Sequence, residues 1–408
     1  MDIKITPAKL SGRVTAPPSK SVAHRMLICA ALSEGESTVR NLFPSKDITA
    51  TIACLSALGA EIEYDGRTAL VRGIKNASRR ARLDCNESGS TLRFLIPVSC
   101  ALGTISEFTG AGRLPERPIT PYLECLPKHG ALFDYKNTMP FTVSGKLSAG
   151  VYEIGGDISS QFITGLLLAL PLLDGDSELR LTTPLQSKPY VDITIGALEK
   201  FGVKITQNGD VYTVKGGQKF SPCDVTVEGD YSQAAFFEVA NALGADIEIQ
   251  GLLENSYQGD KKIIEICQKV LYNNNGGLKP FSVDAADIPD LVPVLAVLGS
   301  FCEGTSYITN AARLRIKESD RLHAMAVSLN SLGGRVREFD DGLEIEGVDK
   351  LAGGVVPDFN DHRIPMAMSV AAMKSEGDVI ICGAQSVSKS YPDYWEVYKS
   401  IGGIISEV

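Results

Sequence analysis

The residues able to do chemistry in this chain gather where a loop gives way to a helix. Residues 17–25 read PPSKSVAHR, with two prolines ahead of Ser19 and with Lys20, Ser21, His24 and Arg25 following within two turns. Proline keeps the residue before it out of the α region and serine is a favoured N-cap, which predicts a helix starting near Lys20 with Ser19 as its cap. On a helical wheel Val22, Met26, Cys29, Ala30 and Ser33 share one arc, while Lys20, Ser21, His24 and Arg25 share the other. One face should therefore pack and the other present cations and hydroxyls. Cations at a helix N-terminus are unfavourable unless an anion is expected there, because the free N–H groups already carry partial positive charge. A phosphate or carboxylate is the ligand this stretch asks for, with a plain solvated helix start as the alternative.

The same arrangement recurs along the chain. NESGSTLRFL, residues 86–95, sets Ser88, Gly89 and Ser90 ahead of a helix holding Arg93, and a glycine there lets backbone amides approach a phosphate. GRLPERPIT puts Arg117 in a loop, GGDISSQFITG puts Ser159, Ser160 and Gln161 at the start of an apolar helix, and SKPYVDIT supplies Ser187, Lys188 and Tyr190. In ADIPDLVP, Asp287 and Asp290 precede the helical run LVPVLAVLG, where carboxylates also suit the helix dipole. RLRIKESDRLHAM is the densest stretch, with Arg313, Arg315, Lys317, Glu318, Asp320 and Arg321 together. Lys317 and Arg321, four apart and on the same helical face as Glu318, suit a carboxylate held among cations; a salt-bridged surface helix is the alternative. FNDHRIPMA adds His362 and Arg363, and SVSKSYPDY adds Lys389. Each signal alone is weak, but together they imply a multiply anionic substrate. The sequence has no P-loop, GxGxxG, HExxH or Cys/His ligand cluster, so no nucleoside triphosphate, Rossmann cofactor or metal is expected.

An internal repeat supplies the elements that must position these residues. LSALGAEIEYDGRTALVRG, LPKHGALFDYKNTMPFTVSG, LEKFGVKITQNGDVYTVKG and LNSLGGRVREFDDGLEIEG each end a helix with Leu-x-x-x-Gly, run an alternating strand, turn, run a second strand and close on glycine. The first and closing glycines are Gly59 and Gly73, Gly130 and Gly145, Gly202 and Gly216, and Gly333 and Gly347. A glycine after a helix suits a left-handed C-cap, and the paired strands suit a hairpin. YNNNGGLKPFSV near residue 276 fills the long gap as a degenerate unit, and YKSIGGIISEV is a last unit cut short by the C-terminus. That makes six helix-plus-hairpin units, three per half. The truncated unit needs a strand from elsewhere, and the N-terminal MDIKITPAKL is the candidate, so the chain should cross between two domains twice, near residues 17–20 and 226–229.

With 408 residues the chain is too long for one ordinary core. The longest apolar run, residues 162–173, is well short of the roughly 20 that span a bilayer, and Pro171 interrupts it. No membrane segment or signal peptide is expected. Nine scattered cysteines with no CxxC pair suit reduced thiols in the cytoplasm. A formal net charge of −9 argues against nucleic acid as a partner, so anion binding must come from local clusters.

PSKSVAHR, SGSTLR, ERPI, SSQF, SKPY, IPD, KESDR, NDHR and SKSYPDY together resemble the 5-enolpyruvylshikimate-3-phosphate synthase family, in the family's order and from end to end. The resemblance implies an α/β fold: a two-domain inside-out α/β barrel of six βαβαββ units, three per domain, with residues 1–19 and 228–408 in one domain and 20–227 in the other. It implies transfer of enolpyruvate from phosphoenolpyruvate to the 5-hydroxyl of shikimate 3-phosphate by a monomeric, cytoplasmic enzyme with no cofactor. Lys20 matches the lysine that touches both substrates. Ser21, Arg25, Ser159, Ser160, Gln161, Ser187, Asp290 and Lys317 match ligands of shikimate 3-phosphate, and Gly89, Arg117, Arg321, Arg363 and Lys389 match the phosphoenolpyruvate site. Asp290 matches the proton acceptor and Glu318 the proton donor, while Gly89 leaves room beside phosphoenolpyruvate, which favours sensitivity to glyphosate. Arg313 stands where many members have asparagine, and its role is left open. The sister enzymes acting on UDP-N-acetylglucosamine normally carry a reactive cysteine just before the equivalent of Arg117; here no cysteine falls between Cys100 and Cys125. A non-catalytic anion-binding protein of the same fold is the remaining alternative, and it would be expected to lack Asp290 and Glu318.

Overall fold

Each of the four glycine-punctuated stretches folds as a helix end followed by an antiparallel hairpin. The strand pairs are Glu61–Tyr64 with Ala69–Arg72, Leu132–Asp134 with Phe141–Ser144, Ile205–Asn208 with Val211–Val214, and Arg335–Phe339 with Gly342–Glu346. Gly59, Gly130, Gly202 and Gly333 take φ of 117°, 101°, 80° and 91°, the left-handed region that glycine enters without strain. At the closing glycines close approach to backbone decides, and of these four only Gly145 also takes a left-handed φ, 90°. A Cβ on Gly73 would overlap the Ser33 carbonyl oxygen, and one on Gly347 the Cys302 carbonyl oxygen, so each hairpin packs its end directly on backbone.

The computed structural model of the chain describes residues 1–271 and 277–408. In it each hairpin joins a parallel strand pair. Arg80–Asp84 runs parallel to Ile105–Thr109, which pairs antiparallel with Phe141–Ser144, and Leu132–Asp134 lies at the edge. The same order recurs in the sheets opened by Val151–Ile154 and by Ser282–Asp284. Two more sheets reach it with a strand from far along the chain. Val225–Thr226 runs parallel to Glu36–Arg40, and the N-terminal Ile3–Thr6 inserts antiparallel between Val379–Cys382 and Ile404–Glu407. The N-terminal strand thus completes the truncated last unit. A sixth sheet pairs Ser11–Thr15 with Asp246–Gln250 in parallel. The hairpin expected around YNNNGGLKPFSV does not appear among the described residues: residues 272–276 lie outside them, and Ser282–Asp284 instead opens the next sheet. The fold is mixed α/β, built from repeated βαβ-like units.

Two compact units result, Met1–Pro17 with Gly229–Val408 and Pro18–Glu228. The core of the first gathers Phe236, Leu295, Met325 and Met366, and that of the second Leu27, Leu55, Leu95 and Leu166. At the boundary Asp230 N donates to Pro17 O at 2.8 Å, and Ser19 N donates to Glu228 O at 2.7 Å. No helix among the described residues is long and apolar enough to cross a membrane.

The first helix corrects two expectations. Helix α1 (Lys20–Leu32) packs on α2 (Lys46–Leu58) and on Lys188–Lys200, and every residue from Val22 to Leu32 is buried, His24 and Arg25 included. A wheel divides a helix into faces but does not count its neighbours, and this helix has them on both sides. Ser19 does not cap it, for its hydroxyl is buried and makes no hydrogen bond among the described residues. The main chain of Ser19, bonded to Glu228, shapes the turn instead.

Candidate active site

In the Pro18–Glu228 unit, one buried guanidinium ties three of the motifs together. Arg25 Nε donates to Thr194 Oγ1 at 2.7 Å, Nη1 to Ser21 O at 2.7 Å, and Nη2 to Tyr190 O at 2.9 Å and Thr164 Oγ1 at 3.2 Å. Thr164 lies on Ser160–Ala169, and Tyr190 and Thr194 on Lys188–Lys200, so PSKSVAHR, SSQF and SKPY meet at one cation. All four acceptors are neutral, and burial pulls the guanidinium from its ordinary value to about 10. Positive charge is left over here for an anion to balance. Ser187, buried at the start of its helix, holds the left-handed conformation with φ 59°, which is rare for a residue with a side chain and recurs at functional sites. Ser159 caps Ser160–Ala169 by accepting from Gln161 N at 3.3 Å, while Ser160 is buried.

A second arginine, which the sequence placed only on its helix, joins two further motifs to SSQF. Arg93 on α3 (Gly89–Ala101) donates from Nη1 to Gln161 Oε1 at 2.7 Å and from Nη2 to Pro118 O at 3.0 Å, and Gln161 Nε2 donates to Ser90 Oγ at 3.0 Å. SGSTLR, ERPI and SSQF are thereby brought side by side. The Arg117 guanidinium rests directly against Gly89. Lys20 Nζ pairs with Asp47 Oδ2 at 2.7 Å, a partner that nothing in the local sequence marks out.

The other unit builds its cluster on Arg321, which is 1% exposed. Its Nε bonds Asp361 Oδ2 at 2.7 Å, its Nη1 bonds Asp290 Oδ1 at 2.7 Å, and its Nη2 bonds Glu318 Oε2 at 2.8 Å. Arg363 Nη2 lies 3.0 Å from Asp290 Oδ2. Burial would raise the Asp290 pKa, but Arg363, Arg321 and Lys317 outweigh it and hold the carboxyl well below the usual range. Burial likewise lowers Lys317 to about 8, against the pull of Asp290 and Glu318. Lys389 Nζ donates to Asn360 O at 2.7 Å, beside Asp361 in the chain. Arg313 donates to the Ala286 carbonyl. A surface helix is excluded by the burial of Arg321, and the expected helical spacing of Lys317 and Arg321 is corrected. Ala312–Ile316 is a short 3₁₀ turn, Lys317 is extended beyond it, and the helix Arg321–Ser331 begins afresh with Asp320 as cap. The acid–cation meeting arises from this break. Asp361, which pairs with Arg321 at 2.7 Å, carries no signal of its own in the sequence, where it reads as a turn residue ahead of the His362-Arg363 pair.

Comparison with known proteins decides the family. The profile of the EPSP synthase (3-phosphoshikimate 1-carboxyvinyltransferase) family matches residues 5–398. The chain belongs to the EPSP synthase family. It is 45% identical to the 3-phosphoshikimate 1-carboxyvinyltransferase of Clostridium novyi (strain NT), over 100% of this chain and 98% of that one. To its namesake in Clostridium beijerinckii it is 44% identical, with the same coverage. Among solved structures, EPSP synthase from Acinetobacter baumannii superposes with a TM-score of 0.83 at 26% identity over 100% of both chains. The enolpyruvyl transferase NikO from Streptomyces tendae superposes with a TM-score of 0.78 over 99% of this chain and 98% of that one; at 18% identity it speaks for the EPSP synthase fold alone.

Proposed function

We infer that this chain transfers the enolpyruvyl group of phosphoenolpyruvate to the 5-hydroxyl of shikimate 3-phosphate, releasing phosphate, as a step of the shikimate pathway. The observation that carries the mechanism is that Asp290 and Glu318 are held on one buried guanidinium at 2.7 and 2.8 Å. In this reading Glu318 gives its proton to the methylene carbon of phosphoenolpyruvate and Asp290 takes the proton of the 5-hydroxyl. The freed oxygen attacks the cationic C2, and the tetrahedral phospho-ketal then loses phosphate from C2 and a proton from the methyl carbon, taken back by the ionised Glu318, to leave the enol ether. Acid and base each contribute roughly 10²- to 10⁴-fold, and positioning with cationic stabilisation of phosphate supplies the rest. Asp290 is a weak base while Arg321, Arg363 and Lys317 all face it. Anionic substrates that share those cations would raise its basicity when they bind.

Lys20 serves both substrates. Ser21, Arg25, Ser159, Ser160, Gln161, Ser187, Asp290 and Lys317 bind shikimate 3-phosphate, and Gly89, Arg117, Arg321, Arg363 and Lys389 bind phosphoenolpyruvate. The convergence of three motifs on Arg25 supports the first set, and the seating of Arg117 on Gly89 supports the second. The repeats are read as an inside-out α/β barrel of six βαβαββ units, three to each domain, the domains being 1–19 with 228–408 and 20–227. The enzyme is read as a cytoplasmic monomer; nine free cysteines support a reducing compartment.

Phosphate release tests the reading. Phosphoenolpyruvate mixed with shikimate 3-phosphate should release phosphate, and phosphoenolpyruvate mixed with UDP-N-acetylglucosamine should not. Release with the nucleotide sugar alone, or with neither acceptor, would overturn it.

A further inference from the structure

A buried chain of four polar side chains runs from α1 to the start of α3. His24 Nδ1 lies 2.7 Å from Thr51 Oγ1, Thr51 Oγ1 lies 2.7 Å from Thr91 Oγ1, and Thr91 Oγ1 donates to Ser88 Oγ at 2.7 Å. His24 is 1% exposed, and Thr51, Thr91 and Ser88 are 0% exposed. The direction of the chain follows from its last bond. Thr91 gives its proton to Ser88 and so accepts from Thr51; Thr51 then gives its proton to Thr91 and so accepts from His24. The imidazole proton is thereby placed on Nδ1, and Nε2 is the bare nitrogen, which makes no hydrogen bond among the described residues. Burial first, then Lys20 and Arg25, hold the imidazole well below its ordinary pKa, so it is neutral at physiological pH.

The ends of this chain are the two helix starts that carry proposed anion ligands. Lys20 and His24 stand one turn apart on α1, and Asp47 and Thr51 one turn apart on α2. Lys20 with Asp47 and His24 with Thr51, both at 2.7 Å, form two rungs between these helices. From the second rung Thr51 reaches Thr91 on α3, whose N–H at 3.2 Å and hydroxyl both converge on Ser88, the N-cap of that helix. Gly89, next in the chain, carries Arg117 against it. Directed hydrogen bonds between buried side chains define a spacing more narrowly than apolar packing of the same volume does.

We propose that His24, Thr51 and Thr91 are positioning residues whose one-way hydrogen-bond ladder keeps the starts of α1 and α3 at a set spacing, and with them Lys20 and the Gly89–Arg117 pair that bind phosphoenolpyruvate. The ladder rests on the assignment of Lys20, Gly89 and Arg117 to phosphoenolpyruvate. It touches neither substrate, and its effect is read in the Michaelis constants, that for phosphoenolpyruvate above all, rather than in turnover.

Thr51→Val keeps the volume and removes the hydroxyl. The expected result is a KM for phosphoenolpyruvate raised about tenfold, a smaller rise in the KM for shikimate 3-phosphate because Lys20 serves both substrates, kcat within about threefold of wild type, and recovery in Thr51→Ser. Unchanged KM values with only a lower melting temperature, equal rises for both substrates, or no recovery in Thr51→Ser would each overturn the ladder. Should Thr51→Val fail to fold, the imidazole decides. His24→Asn can donate from the δ position and should keep the KM, His24→Gln cannot and should lose it, and equal constants in the two would overturn the proposal. Arg117→Ala separates the ladder from its premise. An unchanged KM for phosphoenolpyruvate in that variant removes the premise and the ladder's purpose with it, whereas a raised KM there beside an unchanged one in Thr51→Val overturns the ladder alone.

Discussion

A Cβ on Gly89 would stand 2.5 Å from Nη1 of Arg117 and 2.7 Å from its Cζ. The glycine therefore serves as a spacer for a cation, since its φ lies outside the left-handed region that would demand glycine for conformation. The room expected beside Gly89, on which the expectation of glyphosate sensitivity leaned, is taken by this guanidinium. Gly89→Ala must push Arg117 away, and Arg117 is 7% exposed with little freedom to retreat. Losing one charge-assisted hydrogen bond is worth about 1.5–3 kcal/mol, so the KM for phosphoenolpyruvate should rise roughly tenfold or more. Steady-state kinetics with each substrate varied checks this, and the KM for shikimate 3-phosphate should stay within about threefold.

Glu318→Gln keeps the shape of the side chain and an acceptor for Arg321 Nη2, now 2.8 Å from the carboxylate. It removes the proton to be transferred. Turnover should fall by at least about 10²-fold with substrate affinities within a few-fold. Near-normal turnover in this variant would remove Glu318 from the acid's role.

Lys317, lowered to about 8 chiefly by burial, sets an alkaline limit. The ammonium is charged below that value and neutral above it, so its attraction for an anionic substrate is complete at lower pH and fades as pH rises through about 8. A profile of kcat/KM for shikimate 3-phosphate, which reports groups of the free enzyme, should show this limb. In Lys317→Arg the limb should move to higher pH, because a guanidinium stays charged. The same limb persisting in the variant would assign it to another group.

Asp361 is 0% exposed and accepts from Arg321 Nε at 2.7 Å, Ser319 Oγ at 3.0 Å and Arg363 N at 3.0 Å. Burial opposes its charge, but Arg321 and His362 prevail and keep its pKa below the ordinary value. Asp361→Asn leaves Arg321 facing an amide, and breaking such a buried pair costs about 3–5 kcal/mol. Urea unfolding should show that loss at neutral pH. A carboxyl with a depressed folded pKa stabilises above its unfolded value, near 3.9, and ceases to do so as pH falls through the folded one. The gap between wild type and variant should therefore be full above about pH 4 and shrink below it. A gap independent of pH would mean that lost packing, and not the ion pair, is responsible.

The repeats were legible because their signals are local. A left-handed glycine such as Gly59 or Gly333, strand alternation and a turn are settled within some fifteen residues, and the recurrence of that pattern also revealed that the last unit lacked a strand for Ile3–Thr6 to supply. The motifs showed in the same way which residues could meet anions. What the sequence did not contain was the set of neighbours each charge would find. Arg25 meets Thr164 and Thr194, 139 and 169 residues away, and Asp361 meets Arg321 40 residues away. A helical wheel could not show that α1 would be enclosed on both sides, nor that the chain would break at Lys317 and place Glu318 beside Arg321 without a continuous helix. Hydrogen-bonding capacity is written into each residue type, but a buried cation is balanced only by the groups that folding carries to within about 3 Å of it, and that choice belongs to the packing of distant segments.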